Sequence, residues 1–371
     1  MKKVLVLYTS IGMGHKYIAQ NIAYHLERAG YEVLLHDILQ VQKGVLVDFG
    51  TWLHSFINRR LPFVWRWLYF SDLVKFIGYH LRVPLAKANS KNLFYIVKDF
   101  QPDVILSTQT TGSAATASLI EQKKFSGKFV VAFSDFHLHK FWLYPYVDLY
   151  LANIEEQKQE MMKLGIEENK IAVCGITLKP KSVVDKNAVK EKLGVSQDQR
   201  LIIFGSGSLG IGFDEKLLFD YLTALTEQNE KIFVAVMCGK NQELKSKLDK
   251  LNLKNVLPLG FYENPTELYQ TAELLVTKPG GLTISEALQS GIKILVTHTL
   301  PGQEEPNYEY LLERKLIYAK PAPLSSDNLV KRTLEVLDLS PTDETEFTTQ
   351  ITQSGHEGEI VISAINRLFN L

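Results

Sequence analysis

The sequence is poor in cysteine, has no net charge and lacks long apolar runs, and these absences exclude several classes of protein. The two cysteines, Cys174 and Cys238, are too few for a disulfide framework or a cysteine zinc site. No stretch of about 18 apolar residues occurs, so we expect no membrane-spanning helix. The start, Met1–Leu5, does not resemble a signal peptide, because the apolar run Val4–Tyr8 is short, and we therefore expect a cytoplasmic protein.

What the sequence does contain is typical of a globular protein with a sizeable core. Hydrophobic residues make up 46% and charged residues 22% of the 371 positions, with 41 basic against 41 acidic side chains. At roughly 150 residues per domain, this length predicts two domains. Residues 1–180 carry an excess of basic side chains and residues 181–371 an excess of acidic ones, which indicates two domains with different partners.

Both halves of the sequence alternate short β-rich runs with stretches of helical spacing. This alternation predicts parallel βαβ units, and hence a doubly wound α/β domain in each half. Ligands bind such sheets at the carboxyl ends of the strands, so we expect the two domains to face a central cleft. The predicted strands are Val4–Tyr8, Glu32–Leu35, Asp103–Ser107, Lys128–Phe133, Asp148–Ala152, Leu201–Phe204, Ile232–Met237, Asn255–Leu259, Leu274–Thr277, Lys293–Val296 and Leu316–Ala319.

The predicted hinge lies at Gly175–Lys181, where glycine, proline and polar residues interrupt the pattern. It divides the chain into an N-terminal domain of residues 1–178 and a C-terminal domain of residues 179–355. Residues 356–371 end in an amphipathic stretch, Ile360–Leu371, and are predicted to form a last helix that could pack back on the N-terminal domain.

The first candidate site follows the first predicted strand, where Gly12, Gly14 and His15 open a helix. Glycine permits a tight turn and close approach of a ligand, although the third glycine of the dinucleotide-binding pattern is replaced by Tyr17. The positive end of a helix disfavours an imidazolium, so a neutral His15 could accept a proton from a hydroxyl group. The alternative is a tight turn with a histidine that caps the helix.

The second candidate site, residues 134–142, also follows a predicted strand and contains Asp135, His137, His139 and Trp142. Asp135 could orient an imidazole or act as a base itself. The histidines lack a clear third ligand, which disfavours a metal site. A polar substrate-binding site and a structural carboxylate–histidine network are both consistent with this pattern.

The third candidate site begins at Lys278, after a predicted strand. Gly280 and Gly281 at the start of a helix expose backbone N–H groups to an anion such as a diphosphate. Glu286, about one and a half turns into that helix, would suit the paired hydroxyls of a ribose. A glycine turn that packs the helix on the sheet is the alternative, but it gives no role to Lys278, Thr283 or Glu286.

Two weaker loops follow other strands of the second half. In the loop of residues 299–307, Gln303 and Glu304 suit sugar hydroxyls, while a solvated helix start with acidic residues is the alternative. The loop that follows the first strand of this half is a second candidate phosphate cradle. Its residues are Ser206, Gly207 and Ser208.

The segment Trp52–Lys91 contains three of the four tryptophans and seven basic residues against one acid. Basic and aromatic helices lie in membrane interfaces and attract anionic lipid, so this segment predicts binding to an anionic membrane surface. An internal helical subdomain with snorkelling arginines is the alternative, and nucleic acid is disfavoured because no recognised motif accompanies the aromatics. The candidate membrane residues are Trp52, Arg59, Arg60, Trp65, Arg66 and Trp67.

Taken together, the motifs resemble the family 28 glycosyltransferases of the GT-B fold, which has two Rossmann-like domains. The likeness is greatest to monogalactosyldiacylglycerol synthases and processive diacylglycerol glucosyltransferases, while the peptidoglycan enzyme MurG is a more distant relative. This likeness covers most of the chain. The motifs that carry it are Gly12–His15, Ser134–Trp142, Cys174–Pro180, Cys238–Asn241, Leu259–Phe261, Lys278–Thr283 and Leu300–Glu304.

The resemblance implies a nucleotide-sugar donor, UDP-glucose or UDP-galactose, held by the C-terminal domain with no metal and no other cofactor. It implies that Phe261 lies near the uracil, that Glu286 binds the ribose, and that Gln303 and Glu304 contact the donor sugar. The other donor-binding residues that it implies are Gly14, Ser206, Gly207, Ser208, Lys278, Pro279, Gly280, Gly281 and Thr283.

On the acceptor side, the resemblance implies His15 or Asp135 as the base, with His139 and Trp142 in the acceptor motif. The reaction would be one-step inverting transfer of a hexose to diacylglycerol or glycosyl-diacylglycerol, by an enzyme peripheral on the inner face of the cell membrane. The competing readings are MurG-like transfer of N-acetylglucosamine to a polyprenyl-linked precursor, a UDP-sugar epimerase, and a non-catalytic UDP-sugar sensor. The identity of the sugar, the processivity and the oligomeric state stay open.

Overall fold

The structure is a computed structural model that describes residues 1–10, 13–41, 67, 71, 86, 90–210, 212–300, 302, 304–339 and 356–370. The chain forms two compact units. Unit 1 comprises Met1–Lys179, Pro301–Gln303 and Ser354–Leu371, and unit 2 comprises Pro180–Leu300 and Glu304–Gln353. Helices are numbered below in chain order among the described residues.

Unit 1 contains a parallel sheet of six strands in the order β2-β1-β3-β4-β5-β6. Its strands are β1 (Lys3–Tyr8), β2 (Glu32–Asp37), β3 (Val104–Ser107), β4 (Lys128–Ala132), β5 (Leu149–Ala152) and β6 (Ile171–Val173). Its α-helices up to residue 179 are α1 (Met13–Arg28), α2 (Ile38–Val41), α3 (Thr110–Glu121) and α4 (Glu155–Lys163). Two short 3-10 helices lie at Lys140–Trp142 and Glu168–Lys170. The inner strands are apolar over nearly their whole length because helices cover both faces of such a sheet.

Unit 2 contains a parallel sheet of five strands in the order β11-β10-β7-β8-β9. Its strands are β7 (Arg200–Gly205), β8 (Ile232–Met237), β9 (Val256–Leu259), β10 (Leu274–Thr277) and β11 (Lys293–Val296). Its helices are α5 (Lys186–Lys192), α6 (Glu215–Gln228), α7 (Gln242–Leu251), α8 (Pro265–Thr271), α9 (Gly281–Ser290), α10 (Glu305–Glu313) and α11 (Ser326–Asp338).

The pairing register aligns the carboxyl ends of the strands within each sheet. In unit 2, the last residue of β7, Gly205, pairs with Thr277 and Met237, and Thr277 pairs with Val296. These are the final residues of their strands, so the loops that follow four neighbouring strands leave the sheet at one edge. Side chains in those loops are therefore brought together by the fold, as the parallel arrangement requires.

The last helix, α12 (Glu357–Arg367), belongs to unit 1 and packs closely on α1. A Cβ atom at Gly358 would lie 2.1 Å from Nδ1 of His25, so only glycine fits at this contact. Nε2 of His25 lies 2.7 Å from the carbonyl oxygen of Leu178, and the Tyr31 hydroxyl donates to Oδ1 of Asn366. The contacts of Gly358 and Asn366 join the last helix to α1 and to the turn that follows it, and His25 also joins α1 to the segment at Leu178.

The structure confirms the predicted α/β class and ten of the eleven predicted strands within a residue or two at their ends. The predicted strand Leu316–Ala319 is wrong, because only Tyr318 pairs with β11, through a single bridge to Leu295. Its apolar run is short and is followed at once by Lys320 and a proline, which cannot extend a ladder. Strand β6 was not predicted, since it has only three residues.

The predicted membrane segment Trp52–Lys91 lies almost entirely outside the described residues. Of its candidate residues, Trp52, Arg59, Arg60, Trp65 and Arg66 lie outside them, while Trp67 is helical and 63% exposed. Within the part of the chain that the structure describes, no helix has the length and apolar character needed to cross a bilayer.

Candidate active site

His15 lies at the point in unit 1 where the strand order reverses, between β1 and β3. It is the third residue of α1, which follows β1. Thr108, the first residue after β3, has its Oγ1 3.0 Å from the His15 carbonyl oxygen, and its backbone N–H donates to the Leu7 carbonyl oxygen at 3.0 Å. Ligands bind open α/β sheets at such reversal points, so the fold puts His15 where a ligand is expected.

The imidazole of His15 has a buried Nδ1 atom with no hydrogen-bond partner. Burial lowers the pKa of His15, while the negative charge of Asp135 and a hydrogen bond to the backbone of Thr108 oppose that effect. The ring lies 6.0 Å from that of Trp142, measured between centroids. Loss of hydration on burial therefore favours the neutral imidazole that the sequence predicts.

The loop that carries Asp135 is held by the buried side-chain amide of Gln157, a residue that was not predicted from the sequence. Nε2 of Gln157, in α4, donates to the carbonyl oxygens of Asp135 at 2.8 Å and His137 at 2.9 Å, and its Oε1 accepts from the backbone N–H of Asn153 at 2.7 Å. Nδ2 of Asn153 also donates to the Asp135 carbonyl oxygen, at 2.8 Å. Gln157 is only 1% exposed, and nothing in its sequence context distinguishes it from other helical glutamines.

The other residues of this loop have mainly structural contacts. His139 is buried and caps the 3-10 helix, its Nδ1 accepting from the backbone N–H of Phe141 at 3.2 Å. Trp142 packs edge-on against Phe133, with 5.6 Å between ring centroids. The structure therefore brings Asp135 and Trp142 to His15, while contact of His139 with an acceptor stays a prediction.

In unit 2, the glycine-serine loop after β7 is held by the loop after β8. The backbone N–H of Lys240 donates to the Ser208 carbonyl oxygen at 2.9 Å, and Nδ2 of Asn241 donates to the Gly210 carbonyl oxygen at 2.9 Å. A Cβ atom at Gly210 would lie 2.0 Å from the Cys238 carbonyl oxygen, so the loop needs glycine there. Two neighbouring strands thus fix the backbone of Ser206–Ser208, the predicted phosphate cradle.

The start of α9 has no side-chain cap. Its N-cap is Gly280, so the N-cap residue gives no side-chain acceptor to the first backbone N–H groups, which belong to Gly281 and the residues that follow, including Thr283. Such a helix start suits an anion. Nδ2 of the buried Asn307 donates to the Pro279 carbonyl oxygen at 3.1 Å and so fixes the turn that precedes the helix.

Lys278 and Glu304 form an ion pair beside this terminus. Both side chains are largely buried, and Oε2 of Glu304 also accepts from the backbone N–H of Leu300 at 2.9 Å. A Cβ atom at Gly207 would lie 3.0 Å from Cε of Lys278, so the end of the lysine side chain lies against the glycine-serine loop. Gln303 lies outside the described residues, and contact of Glu304 with a sugar stays a prediction.

Glu286 and Phe261 complete the donor residues predicted in unit 2. Burial raises the pKa of Glu286 to about 8, and no described residue forms an ion pair or hydrogen bond with its carboxylate. Phe261 follows the carboxyl end of β9 and is partly buried. In the described parts of the chain, no group of three or more histidine, cysteine, aspartate or glutamate side chains could hold a metal ion.

Two family models match the chain and together cover more than half of it. The model of monogalactosyldiacylglycerol (MGDG) synthase matches residues 15–178, and the model of the glycosyltransferase family 28 C-terminal domain matches residues 201–307. The chain thus combines an MGDG synthase domain with a family 28 glycosyltransferase C-terminal domain. The first match begins at His15 and includes the Asp135 loop, and the second includes the glycine-serine loop and the start of α9.

Whole-chain comparisons agree with this family. The chain is 27% identical to a processive diacylglycerol beta-glucosyltransferase of Bacillus licheniformis, over 95% of both chains. It is 28% identical to the enzyme of the same name from Staphylococcus aureus strain Newman, over 84% of this chain and 80% of that one.

Solved structures show the fold. MurG of Acinetobacter baumannii aligns with a TM-score of 0.60 at 13% identity, over 99% of this chain and 100% of its own. S. aureus MnaA, solved with UDP, aligns with a TM-score of 0.64 at 12% identity, over 100% and 98%. These structures confirm the predicted GT-B fold, while the C-terminal family model and the Bacillus relative confirm the glycosyltransferase class.

Proposed function

We propose that this glycosyltransferase moves glucose from UDP-glucose to diacylglycerol or glucosyl-diacylglycerol at a membrane surface. The acceptor and the sugar are taken from the names of the Bacillus and Staphylococcus relatives, which match along most of the chain. Their beta products, formed from an α-linked donor, support inversion at the anomeric carbon.

The observation that carries the proposal is the uncapped start of α9 between a lysine and a carboxylate. Its free N–H groups and Lys278 suit the two phosphates of a UDP-sugar, and Glu286 suits the ribose hydroxyls. The Ser206–Ser208 backbone offers further N–H groups to the same anion. A leaving diphosphate stabilised in this way explains how transfer would proceed without a metal ion.

For the chemical step, we assign proton removal to His15. Its neutral imidazole takes the proton of the acceptor hydroxyl as that oxygen attacks the anomeric carbon, and the bond from this carbon to the diphosphate oxygen breaks. The resulting imidazolium is stabilised by the nearby charge of Asp135. UDP leaves with the electron pair of the broken bond.

For the location, we propose peripheral binding to an anionic cytoplasmic membrane face. Trp67, which is 63% exposed, supports this assignment, because tryptophan rings are enriched where a protein meets the membrane interface. Basic residues of the Trp52–Lys91 segment would add electrostatic attraction of about 1 kcal/mol each near the surface.

The test is release of UDP from UDP-glucose, UDP-galactose and UDP-N-acetylglucosamine, with diacylglycerol in anionic or neutral vesicles and with or without EDTA. We expect release from UDP-glucose that requires diacylglycerol, is faster on anionic vesicles, is unaffected by EDTA and yields a β-glucosyl lipid. Acceptor-independent conversion of UDP-N-acetylglucosamine would indicate an epimerase instead. Binding of UDP without any turnover would indicate a sensor.

A further inference from the structure

His298 is a buried histidine in unit 2 that no part of the proposed mechanism uses. It follows β11, at the same edge of the sheet as Lys278 and the start of α9. The residue is 8% exposed, and its Nε2 atom is buried without a hydrogen-bond partner. Buried polar atoms without partners are rare in folded proteins, so this one calls for a partner that a ligand supplies.

The proton on the ring can be placed from the neighbouring Thr297. Thr297 is fully buried, and its Oγ1 lies 3.0 Å from Nδ1 of His298, its one side-chain hydrogen bond among the described residues. A buried hydroxyl proton has to be donated, so it is given to Nδ1. That bond leaves the imidazole proton on Nε2, which is therefore a hydrogen-bond donor.

The charges around His298 favour an anion as the partner. Burial and the charges of Lys278 and Lys320 lower the pKa of His298 to about 3. The ring therefore stays neutral at neutral pH and adds an N–H group to a region with two ammonium groups, of which that of Lys278 is paired with Glu304. A sugar hydroxyl would gain little from such surroundings, whereas a phosphate oxygen is attracted by both lysines and by the N–H.

The space beside Nε2 is set by Gly212, in the segment that follows the glycine-serine loop. A Cβ atom at Gly212 would lie 3.5 Å from Nε2 and 3.1 Å from Cδ2 of Leu300, and the φ of +103° also requires glycine. Phe213 packs edge-on against the ring, with 5.0 Å between centroids, and fixes its orientation.

From this geometry we propose that His298 donates its Nε2 proton to the diphosphate of the bound nucleotide-sugar donor. The inference rests on the proposed function, because it requires that unit 2 binds a nucleoside diphosphate. It adds His298 to the residues that bind the donor, next to Lys278 and the start of α9.

The experiment compares the affinities of uridine and UDP for the full-length protein by calorimetry. In His298→Phe, which keeps a ring but removes the N–H, we expect UDP affinity to fall about tenfold to a hundredfold and uridine affinity to stay unchanged. In His298→Gln, whose amide can place an N–H near the same point, we expect UDP affinity within about threefold of the wild type. His356→Gln, at an exposed histidine of unit 1, is the matched control.

The possible results distinguish failure of the role proposed for His298 from failure of the proposed UDP-sugar donor. Equal losses of uridine and UDP affinity in both His298 variants would show a purely structural role and overturn the assignment. Unchanged UDP affinity with weakened UDP-glucose affinity would move the contact to the sugar, which also overturns it. Failure of the wild type to bind UDP would instead refute the proposed donor, and with it the ligand assigned to His298.

Discussion

His15 in unit 1 and His298 in unit 2 both follow the carboxyl end of a buried parallel strand, and each has a ring nitrogen without a partner. Burial lowers the pKa of both. Their charged neighbours differ: Asp135 acts to raise the pKa of His15, whereas two lysines lower that of His298 further. In the mechanism that we propose, this difference in neighbouring charge suits His15 to act as a base and His298 to act as a neutral hydrogen-bond donor.

The largest expected effect is the loss of the base. His15→Ala should reduce turnover by about 10²–10⁴-fold, because general-base assistance is removed, while UDP affinity changes little. The measurement is steady-state formation of glucosyl lipid, with His356→Ala as a control at an exposed histidine of the same unit. Turnover equal to the wild type would remove His15 from the mechanism.

The next effect concerns the support of Asp135. Gln157→Leu removes one of the two amide donors to the Asp135 carbonyl oxygen, the Gln157 donor to the His137 carbonyl oxygen and the acceptor of the Asn153 N–H, so the Asp135 loop should shift. We expect kcat to fall about tenfold or more, since small misplacements of catalytic groups are costly, with the KM for UDP-glucose nearly unchanged.

The matched control is Gln199→Leu in unit 2. The Gln199 amide also makes three hydrogen bonds, to Ser196, Glu230 and Asn255, but at the amino end of β7, away from the site. This variant should lose stability and keep kcat. Equal losses of kcat in both variants would mean that Gln157 contributes only to folding.

A third prediction uses the pKa of Glu286, which is about 8. Ribose hydroxyls donate to an ionised carboxylate, so below this pKa a proton competes with the nucleotide. UDP affinity should therefore rise about tenfold between pH 7 and pH 9 and level off above the pKa. Calorimetric titration of Glu286→Gln should be flat over the same range, and a flat wild-type profile would contradict the ribose role.

The smallest effect is a shift of the acid limb of the rate profile. Activity requires neutral His15, so kcat/KM should fall as the pH drops through a pKa below the ordinary 6.5. Asp135→Asn removes a charge that raises this pKa, so the limb should move to lower pH by less than about one unit. A shift to higher pH would contradict the charge effect assigned to Asp135, and loss of activity at every pH would indicate Asp135 as the base.

The local chemistry of the sequence predicts much of this molecule. Apolar runs bounded by glycine or polar residues locate most strands, because a strand covered on both faces has few other solutions. The glycine pair at the start of α9 and the carboxylate within that helix predict the donor region, since both signals are local. His15 and Asp135 are recognisable for the same reason, each following a strand.

Contacts between distant residues could not be predicted in this way. Gln157 supports the Asp135 loop from a helix some twenty positions later, and its helix has no pattern that marks this role. The diphosphate contact that we propose for His298 depends on three residues from different segments of the chain, Gly212, Lys278 and Lys320. The wrong strand at Leu316–Ala319 reflects the same limit, since apolar character alone does not show whether a neighbouring strand offers a partner.

The most direct test of the division of labour between the units is a crossed measurement on two variants, His15→Ala and His298→Phe. UDP affinity by calorimetry and turnover of UDP-glucose with diacylglycerol vesicles are measured for both. We expect His15→Ala to lose turnover and keep UDP affinity, and we expect His298→Phe to lose UDP affinity. If both variants lose both quantities in parallel, or if the two effects are exchanged, the assignment of a base to unit 1 and donor binding to unit 2 is wrong.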